Sequence, residues 1–258
     1  MVVLLLAGIG AGIVTGLMGA SAVTIAAPIM IIFLGYDAFI AIGISLAIDV
    51  FASAVTASVF YKHKRINIKP SILILIFSVI GAFVGSYFSS YFSAGLLSKL
   101  VGFFVMFSGI NLMRKGIRGE VRFFKDRFKN CTKKSRFLIL SLAGLFVGLI
   151  AGIAGAGGGV TLLIILTFFL GYGIHTAIGT SVFIMMFIAL SGSIGHIMYG
   201  SFRWYSFVVA SVGGIIGAYY TAKKANGLPE EKLNKIVGFV FFVLGLFLLF
   251  KELVFLIY

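Results

Sequence analysis

The sequence predicts an all-α, polytopic membrane protein, and three observations carry that prediction. Of its 258 residues, 61% are hydrophobic and 11% charged, where an ordinary soluble domain carries about 25% charged residues; the mean hydropathy is +1.17. The apolar residues gather into eight blocks, near 2–34, 38–61, 71–93, 96–113, 137–170, 174–199, 205–222 and 233–257, and a helix needs about 20 such residues to cross a bilayer. The blocks also repeat, because the chain matches itself at an offset of 136 residues.

At that offset Gly8 falls on Gly144, Gly12 on Gly148, Gly16 on Gly152, Gly19 on Gly155, Gly43 on Gly179, Ser45 on Ser181, Gly81 on Gly217, Gly102 on Gly238 and Gly109 on Gly245, without a gap. Phe33-Leu34-Gly35-Tyr36 returns as Phe169-Leu170-Gly171-Tyr172. Apolar helices share composition by chance, but a constant register of glycines through four blocks points to duplication. The chain therefore divides into a membrane repeat over 1–113, a basic linker over 114–136 and a second membrane repeat over 137–258.

The opening block of each repeat is too long for one straight helix. Blocks 2–34 and 137–170 would reach roughly 50 Å against a hydrocarbon core of about 30 Å. Each is interrupted, by Gly19-Ala20-Ser21 followed by Pro28 in the first and by Gly155-Ala156-Gly157-Gly158-Gly159 in the second. Four glycines in five positions do not hold a helix interior. Each opening block is expected to be broken or re-entrant, with unwound backbone satisfied by protein or water. The start, Met1-Val2-Val3-Leu4-Leu5-Leu6, has no basic flank and runs on beyond a signal-peptide core, so it reads as a retained segment.

The formal charge of +14 would suggest a nucleic-acid partner in a soluble protein, but the basic residues lie in short loops between apolar blocks. Residues 114–136 and 62–69 are the most basic stretches, and the positive-inside rule makes both cytoplasmic, where they can also meet anionic headgroups. If each opening block returns to its starting side the repeats are inverted, and 223–235 joins the inside set. If each crosses once, the repeats are parallel and Arg203 and Lys251 join it instead. The charge bias slightly favours inversion. Cys131, the single cysteine, excludes an intrachain disulfide and a cysteine-based metal cluster.

Glycines at 8, 12 and 16, and at 144, 148 and 152, line one helix face and let a neighbouring backbone approach. The breaks carry the chemistry. A helix that starts after unwound backbone presents free N–H groups and a positive dipole end, which together favour an anion. The repeat supplies two such ends, at Ser21, Ala22 and Thr24 and at Gly157, Gly158, Gly159 and Thr161. The second blocks add hydroxyls at matched positions, Ser45 in the first repeat and Thr180 and Ser181 in the second. These residues make a donor-rich candidate site for a small oxyanion, although serine and threonine in apolar helices also bond their own backbone.

Lys and Arg are missing from the middle of the spans, so an anion would be held by amide and hydroxyl dipoles. Asp49 is the one carboxylate deep in a span, where a charge costs about 2.5–3.5 kcal/mol on insertion scales; it could carry a coupling proton, contact a cation or simply tie helices together. His196 is a second candidate for proton coupling. His175 and His196 are too far apart in sequence to make a metal site by themselves, and no cofactor is implied. Gly19-Ala20-Ser21-Ala22 matches the short Gly-x-Ser pattern of intramembrane serine proteases, but four residues in a Gly- and Ser-rich chain match by chance and the partner of Ser21 at the repeat offset is Gly157. An enzyme is not expected.

The stretch Gly148-x3-Gly152-x2-Gly155-Ala156-Gly157-Gly158-Gly159, then Ala177-Ile178-Gly179-Thr180-Ser181-Val182-Phe183 and Ala189-Leu190-Ser191-Gly192-Ser193-Ile194-Gly195-His196, resembles the sulfite exporter TauE/SafE family. The first half looks like its weaker copy, with Gly43-Ile44-Ser45-Leu46 for the Gly-Thr-Ser element and Tyr61-Lys62-His63-Lys64-Arg65-Ile66-Asn67 for the basic loop. The resemblance covers nearly the whole chain. It implies a multi-pass carrier in the cell (cytoplasmic) membrane for sulfur-containing anions such as sulfite, thiosulfate or organosulfonates. Ser21 and Ala22 depart from it where a glycine run is usual, and no proline follows Gly159. A passive anion channel, or a transporter of another small anion, is the alternative. Its partners would be that anion and the lipid bilayer, with a possible homo-oligomer and no nucleic acid.

Overall fold

The computed structural model describes residues 1–93, 132–155, 158–168 and 170–225, with scattered positions between 96 and 110 and between 239 and 249. Cys131, Gly157, most of the linker and most of the blocks 96–113 and 233–257 lie outside the described residues. Within them the chain is helical: α1 Val2–Met18, α2 Val23–Phe33, α3 Ala38–Lys62, α4 Ile72–Ser89, α5 Lys133–Ala154, α6 Gly158–Phe168, α7 Ile174–Tyr199 and α8 Trp204–Ala225, with a 3-10 turn at Lys69–Ser71. Five segments, Ala38–Lys62, Lys69–Ser89, Lys133–Ala154, His175–Tyr199 and Trp204–Ala225, are long and apolar enough to cross a membrane.

Both opening blocks break where the glycines fall. α1 ends at Gly19, with φ 68°, and α5 ends at Gly155, with φ 65°, a left-handed conformation that costs other residues roughly 1–2 kcal/mol. The sequence pattern also pointed to Pro28 as part of the first break, but Pro28 lies inside α2. The chain leaves the helix at residues 19–22 and has resumed it before the proline.

The helices pack as membrane helices do, small side chains inward and large ones outward. On α4, Ile72, Ile76, Ile80, Phe83 and Tyr87 are exposed, while Ser78, Gly81, Ala82 and Gly85 are buried. The small faces bring backbones together across the two halves. α1 packs along α8, and a Cβ on Gly8, Gly12 or Gly16 would collide with backbone at Ala210, Gly214 or Ala218. α5 packs along α4 in the same way, with Gly144, Gly148 and Gly152 against Ile74, Ser78 and Ala82. Each contact of the second set lies at the 136-residue offset from one of the first.

α3 and α7 form the centre and run antiparallel. Gly43, early in α3, meets His196, late in α7; Gly179, early in α7, meets Phe60, late in α3. These two contacts are again related by the offset. At one end of the molecule Phe60 clusters with Ala222 and Ala225, and with Val59, Ile66 and Ile178, so the basic residues Lys62, Lys64 and Arg65 share that end with Lys223 and Lys224 of α8. At the other end Arg203 lies over the ring of Tyr36, 4.5 Å from its centroid.

A tyrosine fastens each end. Tyr36 Oη lies 2.8 Å from Ser206 Oγ. Tyr172, its partner at the repeat offset, donates to the Asn67 carbonyl at 3.1 Å and lies 3.2 Å from Ser71 Oγ. Each tyrosine stands in the turn before a central helix of one half and holds the loop before α4 or the start of α8 in the other.

Candidate functional site

The two breaks meet at the buried centre. A Cβ on Gly159 would strike the carbonyl oxygen of Gly19, and a Cβ on Gly155 would lie 2.6 Å from Val23 Cγ1 and 2.8 Å from Ile42 Cγ2. Only glycine lets the breaks approach this closely. Ser181 belongs to this junction, since its hydroxyl would lie 3.0 Å from a Cβ on Gly19.

In the first break, short-range chain geometry and one distant carboxylate organise the polar groups. Ser21 precedes Ala22, the N-cap of α2: its Oγ accepts from Val23 N at 3.3 Å and its carbonyl accepts from Thr24 N at 3.1 Å and from Thr24 Oγ1 at 2.6 Å. The Ser21 hydroxyl lies 2.7 Å from Asp49 Oδ2 and 3.1 Å from the Gly155 carbonyl oxygen. Asp49 also accepts from Ser53 Oγ at 3.0 Å and from the backbone amide of Ala22. Ser21, Asp49 and Ser53 are all buried. The amides of residues 22–24 thus already have acceptors, and the positive end of α2 is met by Asp49.

The second break is built differently. α6 starts at Gly158, and the side chain beside it is Met185, whose Sδ and Cε lie 3.2 Å from the position of a Cβ on Gly158. Met185 is the offset partner of Asp49, so a thioether stands where the first half has a carboxylate. Gly158 and Gly159 are buried and Thr161 is partly exposed on α6; Gly157 is outside the described residues.

The remaining candidates divide. Ser45 is buried, one turn before Asp49 on the same face of α3, and its hydroxyl has no hydrogen-bond partner. Ser181 bonds its own helix at Ile178 O, 2.9 Å away. Thr180 turns to the basic end and accepts from Asn67 N at 3.0 Å. His196 bonds Gly192 O at 2.9 Å through Nδ1, leaves Nε2 without a partner, and stacks on Phe39 with centroids 4.4 Å apart. The structure therefore gathers Ser21, Ala22 and Asp49 with Gly155 and Gly159, and sets Thr180 and His196 in other surroundings. Ser53 and Met185 were missed in the sequence. Ser53 was findable one turn after Asp49, whereas nothing local marks Met185. Among the described residues no group of three or more His, Cys, Asp or Glu converges.

The family model for sulfite exporter TauE/SafE proteins matches residues 4–248 of the chain. Among curated proteins, the chain is 26% identical over 242 residues to the "Probable membrane transporter protein YdhB" of Bacillus subtilis (strain 168), covering 93% of this chain and 96% of that one. It is 24% identical over 266 residues to the "Probable membrane transporter protein YunE" of the same organism, covering 97% of each. No solved structure matches.

Proposed function

The chain belongs to the sulfite exporter TauE/SafE family, and from that premise we propose that this membrane transporter is a secondary carrier of small sulfur-containing anions, such as sulfite, thiosulfate or organosulfonates, across the cell membrane. The observation that carries the reading is the junction of the two breaks, where Ser21 of one half reaches the Gly155 carbonyl of the other at a fully buried centre. Broken helices that meet between repeats are where carriers hold substrate.

The anion belongs at the second break. There the start of α6 and the hydroxyl of Thr161 supply neutral donors, and Met185 brings no charge against an anion. At the first break Asp49 already occupies the start of α2, and a second anion would meet its repulsion. Of the hydroxyls on the central helices, Ser181 is the one that reaches this junction.

The halves are read as inverted repeats. The antiparallel course of α3 and α7, and the basic residues 223–224 beside 62–65, support this, because both follow if each opening block turns back at its break. Alternating access is then rocking of one half against the other about the junction.

The test is uptake into proteoliposomes of sulfite, thiosulfate, sulfoacetate, taurine and acetate. Saturable flux of at least one sulfur anion, exceeding that of acetate, is expected. Flux that rises linearly with concentration would indicate a channel, and no sulfur-anion flux would sink the substrate class.

A further inference from the structure

We propose that Asp49, Ser21, Ser53 and the Gly155 carbonyl form a Na⁺ site, and that Na⁺ is the ion coupled to transport. Asp49 Oδ1 and Oδ2, the two serine hydroxyls and the carbonyl oxygen make five oxygens drawn together by contacts of 2.7, 3.0 and 3.1 Å. They come from three segments, the first break, α3 and the C-terminal end of α5, and both halves of the chain contribute.

Asp49 accepts from Ser53 and from the Ala22 amide as well as lying beside Ser21, which leaves the Gly155 carbonyl competing for the Ser21 hydrogen. The Ser21 hydroxyl has a single hydrogen, yet it lies within bonding distance of two acceptors, Asp49 Oδ2 and Gly155 O. A hydroxyl can serve only one of them at a time. The Gly155 carbonyl is at the negative end of α5 and beside a left-handed break, so helix dipole and carboxylate present negative potential to the same point. A cation between them satisfies both acceptors, while the hydroxyl oxygens coordinate through their lone pairs and their hydrogens turn outward.

A second, independent observation is Ser45. Its hydroxyl is fully buried and unpartnered one helical turn from Asp49, on the same face of α3. A buried hydroxyl without a partner is costly, and a hydrated or directly bound ion at the neighbouring carboxylate supplies the partner it lacks.

The charge selects the ion. One carboxylate balances one positive charge, and neutral hydroxyl and carbonyl oxygens suit a hard cation rather than a transition metal. A proton on Asp49 would donate to Ser21 Oγ and free the Ser21 hydrogen for the Gly155 carbonyl, so titration at two pH values is what separates it from Na⁺. Ser21 contacts both the Na⁺ ligand set and the second break, so binding at the first break is felt at the proposed anion position. A cation at one break and an anion at the other also offset each other's charge within the low-dielectric interior.

The coupling role rests on the transporter reading, but the binding assay needs no anion and separates the two. Purified protein in detergent is titrated with NaCl against KCl and choline chloride at fixed ionic strength, with thermal unfolding as the readout, and the series is repeated at pH 5 and pH 8. Na⁺ at tenfold its dissociation constant is expected to raise the melting temperature by roughly 3–5 °C, with little effect of choline. Asp49→Asn should abolish the shift, and Ser53→Ala should weaken Na⁺ binding roughly tenfold, about one ligand's contribution; if Asp49→Asn does not fold, Ser53→Ala alone decides. A shift equal in Na⁺ and choline, one unchanged in both variants, or one that follows pH in place of Na⁺ overturns the proposal. Sulfur-anion flux without Na⁺ stabilisation would reject this site and spare the substrate reading; Na⁺ binding without such flux would do the reverse.

Discussion

Ser21 in the first break lies 3.1 Å from the carbonyl oxygen of Gly155 in the second, so one hydroxyl joins the two interruptions of the membrane helices. The same hydroxyl serves Asp49. Its one hydrogen serves a single acceptor at a time, Asp49 Oδ2 being the nearer at 2.7 Å, so Ser21→Ala would leave the buried carboxylate one donor short. A donor lost from a buried charged group costs about 1.5–3 kcal/mol, so the variant should unfold several degrees earlier in detergent and transport at a reduced maximal rate. Wild-type melting temperature together with wild-type flux would show that the contact has no consequence.

Gly155 and Gly173 separate backbone need from mere presence of glycine. Gly155 combines φ 65° with Val23 and Ile42 closer than 3 Å to an added Cβ, so Gly155→Ala should cost about 2–4 kcal/mol from left-handed strain and overpacking. Gly173 has φ −63° and open space around its Cβ position. Gly173→Ala is expected to stay within about 0.5 kcal/mol of the parent. Thermal unfolding of the two variants side by side gives the comparison, and equal stability would contradict the packing at the junction.

The helical class was legible because membrane insertion leaves a sequence little choice: long apolar blocks and charged loops are direct records of the bilayer. The end of α5 at Gly155 was legible because a glycine run weakens a helix, but the expected break reached too far, since Gly158 and Gly159 already belong to α6. Pro28 misled: it stands in the middle of α2, where it removes one backbone hydrogen bond, and the helix runs on through it. Helix partners were not legible. The small faces of α1 and α5 announced close packing, but with lipid as apolar as the helix interior no hydrophobic pattern says which helix fills the face. For the same reason Asp49 stood out as a buried carboxylate while its capping of α2 did not, because Ser21 and Asp49 are paired by the turn-back of the chain at the break and by no periodicity.

Tyr172 and Tyr36 hold opposite ends of the bundle through bonds to Asn67 and Ser71 and to Ser206. In an alternating carrier each end must open in turn, so removing one fastening shifts the balance toward that end. Tyr172→Phe deletes hydrogen bonds worth about 1 kcal/mol each and should increase opening at the basic end by about fivefold or more. Tyr36→Phe should favour the end at Arg203. Labelling rates of a cysteine placed at Asn67 or at Phe202, in a Cys131→Ser background, read the two openings, and the two tyrosine variants are expected to move them in opposite directions.

The packing of Ala222 and Ala225 with Phe60 places Lys224 and Lys64 at the same end of the molecule, which is the placement that the proposed inverted arrangement requires. If each opening block turned through the membrane only once, α8 would finish on the side opposite the end of α3. With both blocks turning back, the two ends coincide and the positive-inside rule makes that side cytoplasmic. Cysteines introduced singly at Lys64 and Lys224 should therefore react with an impermeant maleimide only after the membrane is opened, while a cysteine at Ser201 should react in intact cells. Labelling of Lys224→Cys from outside, with Lys64→Cys protected, would exclude the inverted arrangement and with it rocking about the Ser21–Gly155 junction.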